Sequence, residues 1–371
     1  MQFTCDRDLL MDSINVVQKA VTSKSTLPAL EGILLQTMDE GRLKLTGYDL
    51  EIGIESVLEA DIQQPGSIVI NSKMLGDIVR KMPSDSVTVT VDANLMTRIQ
   101  CGRIDFNIIG LESAEYPELP RVEGEKSFSL SQSVLKSMIR QTLFAVSTND
   151  NKPVHTGCLF EISDGELRVV SVDGYRLALR REPLQQVEDM SFVVPGKTLG
   201  EILKILSDDE EAQVQVVLTK RHIVFEIDQV TVVSRLLEGD FLNYNNAIPK
   251  NNKIFATVDV RGFTSCVERA ALIINDKMKS PVRVKIQDQT LRVQCMSTIG
   301  KVQDELDIQS EGGEIEIGFN HRYLLDALKA CEEEQVRLEL SSPLSPCVMT
   351  PCEGDKYLFL VLPVRLKANE N

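Results

Sequence analysis

Residues Phe192 to Leu203 read FVVPGKTLGEIL, an apolar strand running through Gly-Lys-Thr into an apolar helix, and the meaning of that turn decides the fold. A phosphate-cradling turn requires G-x-x-x-x-G-K-[ST], so that glycine amides can close round the phosphate oxygens. Counting back from Gly196, the first glycine position holds Ser191, and Phe192, Val193 and Val194 belong to a strand. Two further stretches share the strand-to-helix pattern without Gly-Lys-Thr: SIVINSKMLGDIVRKM from Ser67 and EIEIGFNHRYLLDALKAC from Glu314. A nucleotide site has no reason to share its helix start with sequences that cannot hold phosphate this way. The turn is therefore one copy of an internal repeat.

Each copy opens with an earlier strand and amphipathic helix: FTCDRDLLMDSINVVQKAV from Phe3, FSLSQSVLKSMIRQTLFAV from Phe128 and ATVDVRGFTSCVERAAL from Ala256. Alternating strands follow, joined by turns at Glu40-Gly41, Asp164-Gly165 and Asp288-Gln289. Turn-rich connectors near 112–127 and 242–253 separate the copies. The pattern predicts an α+β protein of three domains, 1–120, 127–249 and 253–371, each with two helices on a mostly antiparallel sheet.

With 371 residues the chain can bury two or three cores. It has no run of eighteen apolar residues and no apolar leader, which points to the cytoplasm and away from a membrane. The eight cysteines are scattered, so neither a disulfide framework nor a zinc site is expected, and no cofactor is implied. The formal charge of −15 argues against a nucleic-acid partner unless the basic residues are gathered on one surface.

The second helices gather them. Lys73, Asp77 and Arg80; Lys197, Glu201 and Lys204; and Arg322, Asp326 and Lys329 fall at matching places, spaced four and then three apart, on the face opposite the apolar residues. Surface helices often carry such charges as simple i,i+4 pairs. Their recurrence in three copies, with Lys136 and Arg140 on a first helix, points instead to a basic surface for a polyanion held through its phosphates. Six helices spaced about 9 Å apart would enclose a hole of only roughly 7 Å, whereas twelve leave roughly 24 Å. Two chains could therefore surround a duplex.

The triple repeat, SVDGYRLALRR at 171–181, the connectors ending YPELP and YNNAIP, and the terminal LPVRL closely resemble the β sliding clamps, the processivity subunits of bacterial DNA polymerase III. The resemblance spans the whole chain. It implies the DNA clamp fold, a head-to-tail homodimeric ring around double-stranded DNA, no enzymatic activity, a replicative polymerase as partner and a separate ATP-driven clamp loader. It also implies a pocket for short peptide motifs of replication and repair proteins. Matching positions are His155, Gly174, Tyr175, Arg176, Leu177, Leu242, Ala247, Asn320, Tyr323, Leu344, Pro346, Leu360, Leu362, Pro363, Val364 and Arg365. Tyr175 stands where a histidine is common, Leu362 and Val364 replace methionines, His155 replaces an apolar residue, and Asn245 and Asn246 lie where arginines occur. These departures leave the preferred peptide open. For the ring interface the resemblance points to Ile78, Met82, Phe106 and Ile108 against Leu272 and Ile273, with Arg103 facing Asp304 or Glu305. Lys24 and Lys152 match duplex-contacting loops.

Taken without the family, LFLVLPVRL reads as a buried edge strand and a tail. Catalysis finds little support, because His155, His222 and His321 have no metal spacing and neither G-x-S-x-G nor H-E-x-x-H occurs. A repeat scaffold that binds only proteins is the other alternative. Retention on circular but not linear duplex separates it from a clamp.

Overall fold

A computed structural model describes residues 1–83, 85–120, 126–149, 151–185, 187–274 and 280–366. The end of the first connector, 121–125, and the chain end, 367–371, lie outside the described residues. The six α-helices among the described residues are α1 Arg7–Val17, α2 Ser72–Lys81, α3 Gln132–Leu143, α4 Gly196–Ile202, α5 Val260–Ala271 and α6 His321–Ala330. Each begins where a strand ends. Side-chain oxygens of Asp6, Asn71, Asp259 and Asn320 accept the first free amides of α1, α2, α5 and α6. The α2 sequence explains its seat: Leu75, Ile78 and Val79 are buried while Lys73, Asp77 and Arg80 face solvent. Helix α4 is shorter than its sequence pattern predicts. It stops at Ile202, and Lys204 lies in the turn that follows.

The predicted hairpin turns have their expected geometry. Both residues carry positive φ at Glu40-Gly41, Asp164-Gly165 and Asp288-Gln289; the last two fill two-residue loops and so form the mirror-image turn that matches strand twist, whereas the first lies in a three-residue loop between Met38 and Arg42. Gln289 adopts φ 60° without being glycine, and its side chain holds the turn by bonding Ser310 at both O and N, each at 2.8 Å.

The chain divides into two compact units, Met1–Leu135 with Glu201–Leu236, and Lys136–Gly200 with Leu237–Asn371. Among the described residues, the first holds a five-stranded sheet and an eight-stranded one; the second holds a nine-stranded and a four-stranded sheet. Sheets shared between repeats produce this division. In the first unit, Ile52–Glu59 of the first repeat pairs antiparallel with Val230–Arg235 of the second. In the second unit, Arg176–Pro183 pairs antiparallel with Tyr357–Val361 of the third.

Tyr357–Val361 is therefore not the edge strand that its sequence suggested. It lies inside the nine-stranded sheet with all five residues buried. An apolar run without alternation fits a strand covered on both faces. Two other strands do end their sheets: Ile104–Ile109 in the five-stranded sheet and Gly300–Asp307 in the four-stranded one.

Candidate functional site

The expected phosphate contacts are exposed at Lys24, Lys73, Arg80, Arg140, Lys152, Lys197, Lys204, Arg322 and Lys329, while Lys136 is half-buried. Many of these cations already face a carboxylate. Arg80 pairs with Asp77 at 3.0 Å, Lys204 with Glu201 at 2.9 Å, and Lys329 of α6 with Glu268 of α5 at 2.8 Å. Arg140 lies 3.8 Å from Glu332. Within the first unit Lys19 adjoins Glu201 and Lys204; partial burial pulls its pKa below the ordinary lysine value, with Glu201 opposing and Lys204 reinforcing the shift. The basic faces are thus weaker than their residue types suggest.

A second constellation lies in the second unit. Gly174, at φ +90°, turns the chain after Asp173, whose Oδ1 accepts the amides of Tyr175 and Arg176 at 2.8 and 3.0 Å. Arg176 donates to Asp173 Oδ2 at 2.9 Å and is also bonded to Asp326 of α6. Its guanidinium lies 4.6 Å from the Tyr323 ring centroid and 5.5 Å from that of Phe144. Tyr175, 59% exposed, stacks on Tyr323 at 5.8 Å. Asp326, read from sequence as a solvent-facing helix charge, is instead half-buried and locks Arg176. Burial raises the Tyr323 pKa, so its hydroxyl stays protonated at neutral pH.

Leu362 and Val364 close round this shelf. Leu362 N–H donates to Tyr175 O at 2.9 Å, and Val364 N–H to Gly318 O at 2.8 Å. Leu177 and Leu360 face each other across paired strands and are buried, forming floor rather than contact surface. Leu362 packs on the same apolar cluster. Leu242, Leu344 and Val364 remain exposed, as do Ala247 and Arg365, with Pro346 and Pro363 half-buried. Asn320 uses its side-chain oxygen to cap α6, accepting Arg322 N–H at 3.0 Å. His155 meets Phe241 edge-on at 5.3 Å, and burial followed by Lys152 lowers its pKa from 6.5. Sequence reasoning missed Phe241 and Ile248, which pack on the cluster from the connector. The signal was present, since both are large apolar residues within a polar, turn-rich segment.

Residues assigned to a ring interface divide. Phe106, Ile108 and Arg103 lie on or beside the terminal strand Ile104–Ile109, and Phe106 is 38% exposed. Ile109, unassigned from sequence, is 72% exposed. Ile78 is only 8% exposed but lines a groove with Phe106 and Met74. Met82, at 4%, belongs to the interior of the first unit and has little area to offer a partner. In the second unit Leu272 is 81% exposed and Ile273 half-buried. Asp304 already binds Arg269, Oδ2 to Nε at 2.6 Å. Burial opposes its ionisation, yet Arg269 wins and holds its pKa below the ordinary aspartate value.

The families described as DNA polymerase III beta subunit, N-terminal, central and C-terminal domain match residues 1–120, 129–243 and 245–365. The beta sliding clamp of Halalkalibacterium halodurans is 37% identical over 98% of this chain and 100% of that protein. That of Bacillus subtilis is 35% identical with the same coverage. Among solved structures, a putative DNA polymerase III beta subunit from Eubacterium rectale superposes with a TM-score of 0.93 at 37% identity, covering 98% of this chain and 99% of that one. The DNA polymerase sliding clamp of Bacillus subtilis gives 0.95 at 34% identity, covering 99% and 100%.

Proposed function

The chain belongs to the DNA polymerase III beta subunit family, the beta sliding clamps, and from that premise we propose that two copies close head to tail round duplex DNA and tether the replicative polymerase. The family is a processivity factor and not an enzyme.

One observation carries the ring. Both joins between repeats use equivalent strands in one register: Gly53 opposite Val233 and Ile54 opposite Val232, then Leu177 opposite Leu360 and Ala178 opposite Phe359. Val232 lies three rungs from Phe128, through Val216 and Phe225; Phe359 lies three rungs from Ala256, through Leu338 and Met349. The third strand reached in this way is Phe106, three rungs from Phe3 through Val89 and Ile99. Its equivalent partner, two repeats on from Ile54, is Val302. Their strands are the sheet edges Ile104–Ile109 and Gly300–Asp307. An unpaired edge is a template for another chain. Continuing the register sets Val302 opposite Phe106 of the partner subunit, Lys301 opposite the partner's Asn107, and Glu305 opposite the partner's Arg103, an attractive pair.

Duplex DNA is held through phosphates by Lys73, Lys197, Arg322 and the other exposed cations, without base readout, so the ring slides. An ATP-driven loader opens it, partners dock short peptides at the Tyr175–Tyr323 shelf, and the work takes place in the cytoplasm. The test is disulfide capture in a Cys352→Ser background, which removes the exposed native thiol. Mixed Lys301→Cys and Asn107→Cys chains should cross-link, whereas neither should cross-link with itself. Self-linking of either variant indicates a symmetric interface and defeats the ring.

A further inference from the structure

The same register exposes a difference between the two joins. In the first unit Ser56 faces α1, its hydroxyl 3.1 Å from that of Ser13, so Gly53 and Glu55 occupy the opposite sheet face. Residues 113–120 lie along that face beside a cleft of about 650 Å³. In the second unit the equivalent positions are Leu177, Leu179, Val170 and Leu358, all in one apolar cluster. In the first they are Gly53, Glu55, Thr46 and Thr231.

We propose that this cleft binds an arginine side chain of a partner protein's extended segment, flanked there by aliphatic residues. Three carboxylates border it, Glu55, Glu118 and Glu226, against the single ammonium of Lys44. Lys44 Nζ and Thr46 Oγ1 both donate to Glu55 Oε1, at 2.9 and 3.3 Å, which leaves Oε2 available. Glu118 and Glu226 are exposed and have no ion partner among the described residues. A guanidinium offers five donors in a planar fork and binds carboxylates more strongly than a neutral group does. Beside these acids the walls are apolar: Leu34, Val224 and Val233 are buried strand residues, and Leu119 covers Gly53. Such walls accept the aliphatic neighbours of the arginine and disfavour a small, fully hydrated cation. The cleft thus differs in chemistry from the Tyr175–Tyr323 shelf, and its occupant need not be the shelf's.

The probe is the capped tripeptide acetyl-Leu-Arg-Leu-amide, titrated into the full chain while amide signals of Thr46, Thr231 and Val233 are followed by NMR. Saturable binding is expected, weakened about tenfold or more by the neutral citrulline analogue and by Glu226→Gln, the loss of one charge-assisted hydrogen bond. Glu118→Gln, on an exposed connector, provides a second variant that spares the sheet. Absence of saturable shifts, or equal affinity for the citrulline analogue, overturns the proposal. Displacement of the tripeptide by spermidine at equal concentration would assign the cleft to a free polyamine and overturn the peptide occupant. Tyr175→Ala should leave this titration unchanged, so failure at the shelf and failure here are separate results.

Discussion

Neutralising the carboxylates that face the basic helices, with Asp77→Asn, Glu201→Gln and Glu268→Gln together, will tighten DNA binding at low salt and steepen its salt dependence. The three acids lie 2.8 to 3.0 Å from Lys329, Lys204 and Arg80, distances at which each competes with a phosphate for its cation. A released cation that takes up one phosphate adds about −0.9 to the slope of log K against log salt, so three add roughly −2.7 per chain. For each chain whose three cations meet the duplex, the variant's affinity should therefore fall roughly fortyfold more than the parent's between 50 and 200 mM salt. Fluorescence anisotropy with a linear duplex gives the slope, and sedimentation confirms that the dimer is intact. An unchanged slope in a dimeric variant would mean that these helix faces do not meet DNA.

Two further outcomes follow from packing and ionisation. Gly53→Leu, which copies Leu177 of the equivalent strand, brings Cβ to 2.5 Å from Leu119 Cδ2, and should cost about 1–3 kcal/mol in the thermal or urea transition; Leu119→Ala should recover much of it, and strictly additive effects would refute the contact. His155 has a folded pKa lowered from 6.5 by burial and then by Lys152, so its contribution to stability is complete above pH 6.5 and declines as pH falls from there towards the folded value. His155→Phe should flatten that part of the stability–pH curve, and an unaltered profile would show that another group titrates.

Strand and helix positions were legible because each rests on local chemistry. Asp6, Asn71, Asp259 and Asn320 announce helix starts, and Asp164-Gly165 announces a hairpin, within a few residues. The exposed faces of α2 and α6 were equally plain from the spacing of Lys73 and Arg80, and of Arg322 and Lys329. Partnership between strands was not, since alternation tells which face a residue takes and nothing about the strand across from it. Tyr357–Val361 shows the gap: apolar throughout, it was read as an edge although it joins two repeats. Side-chain partners hid for the same reason. Asp326 matched Asp77 and Glu201 by spacing, yet its partner Arg176 lies 150 positions away in sequence. Of the Tyr175–Tyr323 shelf, the residues came from the family's pattern, while the clamp of Arg176 by Asp173 and Asp326 depended on the fold.

The joins also show how one backbone arrangement can serve two tasks. Hydrogen bonds between Ile52–Glu59 and Val230–Arg235 depend on main-chain atoms, so the side chains turned away from the helices differ between the two joins while the pairing stays the same. Glu55 and Thr231 in one unit, Leu179 and Leu358 in the other, occupy the same register and differ only in what they present. An apolar face demands cover, and Phe241, Tyr244 and Ile248 supply it beside the Tyr175–Tyr323 shelf. The polar face needs less, and an open cleft persists there. If closure resides in the main chain and recognition in the outward side chains, then Leu179→Glu with Leu358→Thr should abolish peptide docking at the shelf while Lys301→Cys and Asn107→Cys chains still cross-link. Loss of both together would show that the two tasks are not separable.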